Sequence, residues 1–194
     1  MTVGSRRSER MKEVLARRQP DLTVVIENIH DPHNVSAILR SCDAVGIMQV
    51  ELLYTVEKFP RIGKKSSSSA NKWLDRRKHT SVEECFATLR NEGFTIFATH
   101  LGDSSKSLYE LDLTKKVALV FGNEHRGVSD EAATLADGNF QIPMLGMIQS
   151  LNVSVACAVA LFESLRQRLA GNSLKIPKLT EHELDALHDD WIKR

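Results

Sequence analysis

The chain has 194 residues, with 26 Lys and Arg against 25 Asp and Glu, so its formal net charge is +1. This balance excludes a uniformly basic nucleic-acid-binding protein and a strongly acidic, disordered chain. With 42% hydrophobic and 26% charged residues, the composition is typical of one folded domain that buries a sizeable core.

Hydrophobic patterns predict short strands that alternate with helices. In chain order we expect a helix at 5–18, a strand at 22–26, a helix at 34–45, a strand at 50–54, a mobile loop at 57–72, a helix at 81–91, strands at 94–99 and 117–121, a short helix from 129, a strand at 140–142, and helices at 152–169 and from 180. This alternation predicts an α/β sandwich with a mostly parallel sheet.

The basic residues are concentrated in two segments. Between Ser5 and Arg18 there are six basic and two acidic residues, and between Lys58 and Lys78 there are eight basic residues and one acid. Such an asymmetry indicates a polyanionic partner. The alternative is that each segment is only a solvated, charged face.

The predicted helix at 152–169 is apolar on two faces. One face carries Val155 and Phe162, and the other carries the smaller Cys157 and Ala160. A helix of this kind is buried on two sides. One side would meet the sheet and the other a second subunit, which predicts a homodimer.

Several features bear on compartment and cofactor. The cysteines, Cys42, Cys85 and Cys157, are odd in number and widely spaced, as expected of reduced thiols in a cytoplasmic protein. No secretory signal or membrane span is expected, because the N-terminus is Arg-rich and the longest apolar stretch is short. No metal site is expected, since nothing completes a ligand set around His30 and His33.

Three segments combine polar and apolar residues in ways that suggest a site. In the segment 28–46, Arg40 lies opposite the apolar stripe of a helix and is either solvated or a clamp for phosphate. In 119–127, an apolar strand runs into Gly122 and a polar turn, which is either a ligand site at the sheet edge or an ordinary turn. In 142–152, an apolar loop is either buried core or the wall of a pocket for a flat ring such as adenine.

Three stretches within these segments carry a family resemblance. They are Asn28-Ile-His-Asp-Pro-His-Asn-Val-Ser-Ala-Ile-Leu-Arg40, Phe121-Gly-Asn-Glu-His-Arg-Gly127 and Ile142-Pro-Met-Leu-Gly-Met-Ile-Gln-Ser-Leu-Asn152. Their order resembles the three motifs of the SpoU (TrmH-type) branch of the SPOUT RNA methyltransferases. The resemblance implies a three-layer α/β sandwich with a deep C-terminal trefoil knot. The expected divisions are a basic N-terminal helix at 1–20, a methyltransferase domain at 21–170 and a helical tail at 171–194.

The resemblance also implies a cofactor and site residues. S-adenosylmethionine is expected to contact Thr99, Leu101, Gly122, Ile142, Met144, Leu145 and Leu151. Arg40 matches the family's proposed catalytic arginine, and the other expected catalytic-site residues are Asn34, Glu124, Ser150 and Asn152. From the uneven charge distribution rather than the resemblance, the side chains expected to contact RNA are Arg7, Arg10, Arg17, Arg18, Lys64, Lys65, Lys72, Arg166 and Arg168. Asp31 stands where relatives often have Lys.

By the same resemblance, the expected reaction is 2′-O-methylation of a tRNA ribose, with guanosine 18 of the D-loop as the target. A homodimer would form through the helices of the knot region. Two alternatives stay open. One is the same reaction at another tRNA position or on ribosomal RNA, and the other is an RNA-binding homologue without catalytic activity.

Overall fold

Residues 3–60, 70–102 and 104–194 are described in this computed structural model, and they form seven strands and six α-helices. The strands are β1 (Leu22–Glu27), β2 (Gln49–Leu53), β3 (Asp75–His79), β4 (Thr95–Thr99), β5 (Lys106–Ser107), β6 (Val117–Phe121) and β7 (Gly138–Gln141). The helices are α1 (Val3–Leu15), α2 (Pro32–Ala44), α3 (Val82–Asn91), α4 (Asp130–Leu135), α5 (Val153–Ala170) and α6 (Glu181–Lys193).

The strands form one parallel sheet in the order β3-β2-β1-β6-β4-β7-β5. The predicted α/β fold with a mostly parallel sheet is thereby confirmed. β1 pairs with β2 on one side and with β6 on the other. Ligands of open parallel sheets bind at the carboxyl ends of the strands, where the strand order reverses in this way. The trefoil knot stays a prediction.

Helices cover both faces of the sheet. Because successive side chains of a strand point to opposite faces, Val24 and Ile26 of β1 pack beneath α2 and α5, whereas Val25 packs beneath α3 and α4. Cys157 and Leu161 are the buried part of α5 that meets this core. The two-sided burial of β1 and β6 explains their mainly apolar sequences.

The other face of α5 is open to solvent in the single chain. Val155, Phe162 and Leu169 are 47%, 51% and 58% exposed, respectively. They follow one another at intervals of seven residues, so they form one apolar stripe along the helix.

The strand β3 was not predicted, because its sequence Asp-Arg-Arg-Lys-His has no apolar residue. Charged partners replace apolar packing at this edge of the sheet. Arg77 Nε donates to Glu51 on β2 at 2.8 Å, and His79 Nε2 lies 2.7 Å from the same carboxylate. The predicted mobile loop overlaps 61–69, which lie outside the described residues.

The terminal helices α1 and α6 pack against each other through Met11, Leu15 and Trp191. Arg18 completes this cluster: its guanidinium lies 5.0 Å from the centre of the Trp191 ring and donates to Ile47 O at 2.7 Å. A further bond joins Arg18 to Asp43 at 2.6 Å. The prediction that Arg18 contacts RNA is therefore wrong, because the side chain is buried and bonded inside the protein.

The prediction for Arg168 is wrong for the same reason. Its side chain is fully buried at the end of α5. It donates to Leu113 O at 2.9 Å, to Gln19 Oε1 at 2.9 Å and to Asp21 Oδ1 at 2.7 Å. Arg168 thus joins α5 to the chain segments that lead into β1 and β6.

Candidate functional site

A cavity of about 660 Å³ opens at the carboxyl edge of the sheet, beside the ends of β4, β6 and β7. Six of the seven predicted cofactor residues line it, namely Thr99, Leu101, Gly122, Ile142, Met144 and Leu151. Leu145 is not among the lining residues, and its side chain is fully exposed. Of the predicted catalytic-site residues, Glu124, Ser150 and Asn152 also line the cavity.

The apolar loop at 142–152 is not core. Leu145 and Met147 are 100% exposed, and Ile148 is 62% exposed. The interpretation of this loop as buried core is therefore wrong. Three other apolar residues of the loop, Ile142, Met144 and Leu151, line the cavity and favour a ligand with an apolar or aromatic part.

Gly122 allows the turn after β6 to close tightly. A Cβ at this position would lie 2.2 Å from Gly127 C, Gly127 O and Val128 N. All three are main-chain atoms, so no side-chain movement could relieve the overlap. The wall of the cavity therefore requires glycine here for close approach of two backbone segments.

Residues from all three motifs form one hydrogen-bonded set around Glu124. Asn34 Nδ2 donates to Glu124 Oε1 at 2.9 Å, and Asn152 Nδ2 donates to Asn34 Oδ1 at 3.0 Å. The N–H groups of His30 and Asp31 also donate to the Glu124 carboxylate, at 3.2 and 3.1 Å. The start of α2, the turn after β6 and the start of α5 are thereby held together.

These hydrogen bonds fix the charge of Glu124. Burial raises the pKa of its carboxyl, but the bonds from Asn34 and from the main chain outweigh burial and hold the pKa below its ordinary value. Glu124 is therefore ionised at neutral pH. It can accept hydrogen bonds and orient Asn34, but it does not have the raised pKa expected of a general acid.

Arg40 projects from the helix that this network anchors. Asp31 Oδ1 accepts from His33 N at 2.8 Å and caps α2, so the Asp31 position has a structural role here. Two turns later, Arg40 is exposed and does not line the cavity. It has no hydrogen-bond or ion-pair partner among the described residues.

The remaining predicted RNA contacts differ in their surroundings. Exposed side chains are found at Arg7, Arg10, Arg17, Lys72 and Arg166. Arg10 and Arg166 are paired with Glu13 at 3.1 Å and Glu163 at 2.8 Å, respectively. Lys64 and Lys65 lie outside the described residues.

Two asparagines of the site were missed by the sequence analysis. Asn123 Nδ2 donates to Asn28 O at 2.8 Å, and Asn123 Oδ1 accepts from His125 N at 3.0 Å. Both lie inside the recognised motifs, directly or nearly directly after strands. Their location at the ends of strands, where open sheets bind ligands, was the signal that could have identified them.

The described residues contain neither a metal-binding cluster nor a helix that could span a membrane. Within the residues that the structure describes, no three His, Cys, Asp or Glu side chains form a group that could hold a metal ion. None of the helices in these same ranges combines the length and apolar character needed to cross a membrane.

Comparisons with known proteins agree with the motif resemblance. Residues 21–162 match the SpoU rRNA Methylase family. A tRNA (guanosine(18)-2'-O)-methyltransferase of Thermus thermophilus is 47% identical over 188 residues, which cover 97% of this chain and 96% of that protein. The crystal structure of the Aquifex aeolicus TrmH/SpoU tRNA modifying enzyme superposes with a TM-score of 0.91 at 39% identity, covering 98% of this chain and 96% of that one. The SpoU methyltransferase AviRb from Streptomyces viridochromogenes, in complex with the cofactor AdoMet, superposes with a TM-score of 0.68 at 27% identity, covering 82% and 65%.

Proposed function

Because the chain belongs to the SpoU methylase family, we propose that it transfers the methyl group of S-adenosylmethionine to the 2′-oxygen of guanosine 18 in tRNA. The observation that carries the proposal is the hydrogen-bonded set Glu124, Asn34 and Asn152 beside the cavity. The choice of nucleotide rests on the likeness to the Thermus thermophilus enzyme. A tRNA substrate also implies a cytoplasmic enzyme.

The cavity suits the cofactor in its volume and in its walls. At about 660 Å³ it is within the usual range for sites of small molecules and cofactors. Gly122 lets the turn after β6 pack closely against the backbone of Gly127 and Val128, and this turn forms part of the cavity wall. Leu101, Ile142 and Leu151 would provide the apolar walls beside Thr99, and neighbouring main-chain groups would hold the edge of the adenine. Leu145 would join them only if its loop folds inward on binding.

Little acid–base chemistry is required of the protein. When bound, S-adenosylmethionine supplies a methyl group already activated by its sulfonium charge. The protein must align the ribose oxygen and help to remove the hydroxyl proton. Glu124, as an ionised acceptor, orients Asn34, which in turn accepts from Asn152, while Ser150 lines the same cavity.

Arg40 is the residue assigned to the ribose. A guanidinium hardly deprotonates in proteins, so it is a poor base by itself. In one version of its role, Arg40 holds a phosphate of the RNA that lowers the barrier or takes the proton. In the other version, Arg40 only positions the ribose.

The function is tested by methyl transfer from labelled S-adenosylmethionine to bulk tRNA, followed by mapping of the modified ribose. A 2′-O-methyl group at guanosine 18 is the expected result. A label at another tRNA position, or on ribosomal RNA alone, would keep the reaction but change the substrate. No label on any RNA would indicate an RNA-binding homologue without activity and would contradict the proposal.

Exposed arginines near the N-terminus are proposed to bind phosphates of the tRNA. Deleting residues 1–18 would also remove Met11, Leu15 and Arg18, which pack with α6, so side-chain substitutions are a cleaner test. We expect Arg7→Gln, Arg10→Gln and Arg17→Gln together to weaken tRNA binding and to reduce the slope of log K against log salt by about 2 to 3. Titrations at several salt concentrations measure this slope.

The same titrations need a control outside the N-terminal region. Lys115→Gln removes a charge that is 79% exposed and pairs with the nearby Asp112, so the slope should be unchanged. If the triple variant keeps the wild-type slope, the N-terminal arginines do not contact phosphates.

A homodimer is proposed through the exposed stripe of α5. Phe162 is half exposed in the single chain, and Val155 and Leu169 extend the same face. Burying such a stripe in a partner removes apolar surface from water. Sedimentation at micromolar concentration is expected to give a dimer for the wild type and a monomer for Phe162→Asp. A monomeric wild type would contradict the assembly.

A further inference from the structure

Asn28 lies directly after β1 and has an uncommon backbone conformation, with φ at 50°. Its side chain is buried, and its Oδ1 accepts three consecutive N–H groups: Thr55 at 3.0 Å, Val56 at 3.1 Å and Glu57 at 3.1 Å. Its Nδ2 donates to Thr55 Oγ1 at 3.0 Å. One amide thus holds the entire turn that follows β2.

The main chain of Asn28 bonds to both neighbouring strands. Its N–H donates to Leu53 O of β2 at 2.9 Å, and its carbonyl accepts from Asn123 Nδ2, after β6, at 2.8 Å. A second link runs directly between the two flanking segments, because Arg126 donates to Glu57 at 2.8 Å. Asn28 is therefore the central joint between the turn at 55–57 and the turn at 122–127.

Stability alone does not explain this arrangement. Thr55 and Val56 are exposed, so water could satisfy their N–H groups if Asn28 were absent. The left-handed backbone of Asn28 is itself unfavourable for a residue with a side chain. The side chain of Asn28 instead fixes the position of the turn at 55–57 relative to the strand ends that form the site.

We propose that Asn28 is a positioning residue for methyl transfer. It holds the chain that leads into the basic segment beginning at Lys58 in register with the turn that carries Glu124. This inference rests on the proposed function, since it concerns the same site. It predicts that losing the joint impairs turnover on tRNA without changing affinity for the cofactor, whose cavity Asn28 does not line.

Two substitutions separate the hydrogen bonds from the backbone strain. Asn28→Gly relieves the positive φ but deletes the bonds, and we expect kcat on tRNA to fall about tenfold with KM and cofactor Kd within about twofold. Asn28→Asp keeps an acceptor for the three N–H groups and should restore kcat to within about twofold of wild type. Asn172→Gly is the matched control, because Asn172 has φ at 57° far from the motifs and should keep full activity.

Full activity in Asn28→Gly, or equal loss in Asn28→Gly and Asn28→Asp, would overturn the inference. Hydrogen exchange on the wild type gives a test that does not depend on the variants folding. The amides of 55–57 should be protected although Thr55 and Val56 are exposed, and exchange as fast as in free peptide would also overturn it. A wild type without methyl transfer to tRNA would instead contradict the proposed function, which the exchange measurement does not involve.

Discussion

Replacing Arg40 by alanine is expected to lower kcat on tRNA by about 10²- to 10⁴-fold, with less than about twofold change in affinity for S-adenosylmethionine. Arg40 is exposed, has no hydrogen-bond or ion-pair partner within 3–60, 70–102 and 104–194, and does not line the cavity, so its loss should disturb neither the fold nor cofactor binding. Steady-state kinetics with tRNA and calorimetric titration with the cofactor measure the two quantities.

Two further variants show whether the effect belongs to the guanidinium. Arg40→Lys keeps the charge but loses the planar fork, so most of the kcat should still be lost. Arg90→Ala removes an arginine on α3, on the opposite face of the sheet, where it pairs with Asp137 at 2.9 Å, and turnover should stay normal. Near-normal turnover in Arg40→Ala would contradict the assignment of Arg40 to the reaction.

Gly122→Ala is expected to weaken cofactor binding by about 100-fold, which corresponds to about 3 kcal/mol of overpacking. The added methyl group would lie 2.2 Å from three main-chain atoms of the same turn. The turn must open to accommodate it, and this displaces the wall of the cavity. Calorimetry with S-adenosylmethionine measures the loss directly.

A second glycine provides the comparison for this variant. At Gly171, after α5, a Cβ would lie 3.4 Å from Gln167 O, an approach that a small shift relieves. Gly171→Ala should therefore bind the cofactor as the wild type does. An unchanged Kd in Gly122→Ala would mean that the cofactor does not depend on this turn.

The parallel sheet could be predicted because its central strands are buried on both faces. Leu22–Glu27 and Val117–Phe121 have mainly apolar sequences for that reason, and Leu22–Ile26 pairs with Val117–Phe121. Turn residues and helix-capping residues between the strands indicated where the helices begin and end. The edge strand β3 could not be predicted, since its packing depends on ion pairs with Glu51, which is distant in sequence.

The buried arginines show the same limit. Arg18 and Arg168 are basic residues near other basic residues, so composition predicted a solvent-facing role. Their partners include Ile47, Asp21 and Leu113, and only the fold brings these groups near them. A charged side chain is buried when distant segments supply its hydrogen bonds, and spacing along the chain does not reveal this.

Within the site, the motifs were informative about identity and less informative about contacts. Family likeness pointed to Asn34, Glu124 and Asn152, and the structure joins them by hydrogen bonds. Nothing in the residue pattern indicated that Asn28 would accept three consecutive N–H groups from the turn after β2. That contact depends on the parallel pairing of two strands and on a left-handed backbone.

The central claim is methylation of the 2′-oxygen of guanosine 18 in tRNA. It is tested most directly with two tRNAs that differ only in the 2′-hydroxyl of that nucleotide, one with guanosine and the other with deoxyguanosine. With labelled S-adenosylmethionine, the first should accept one methyl group per molecule and the second none. Equal labelling of both tRNAs would contradict the account.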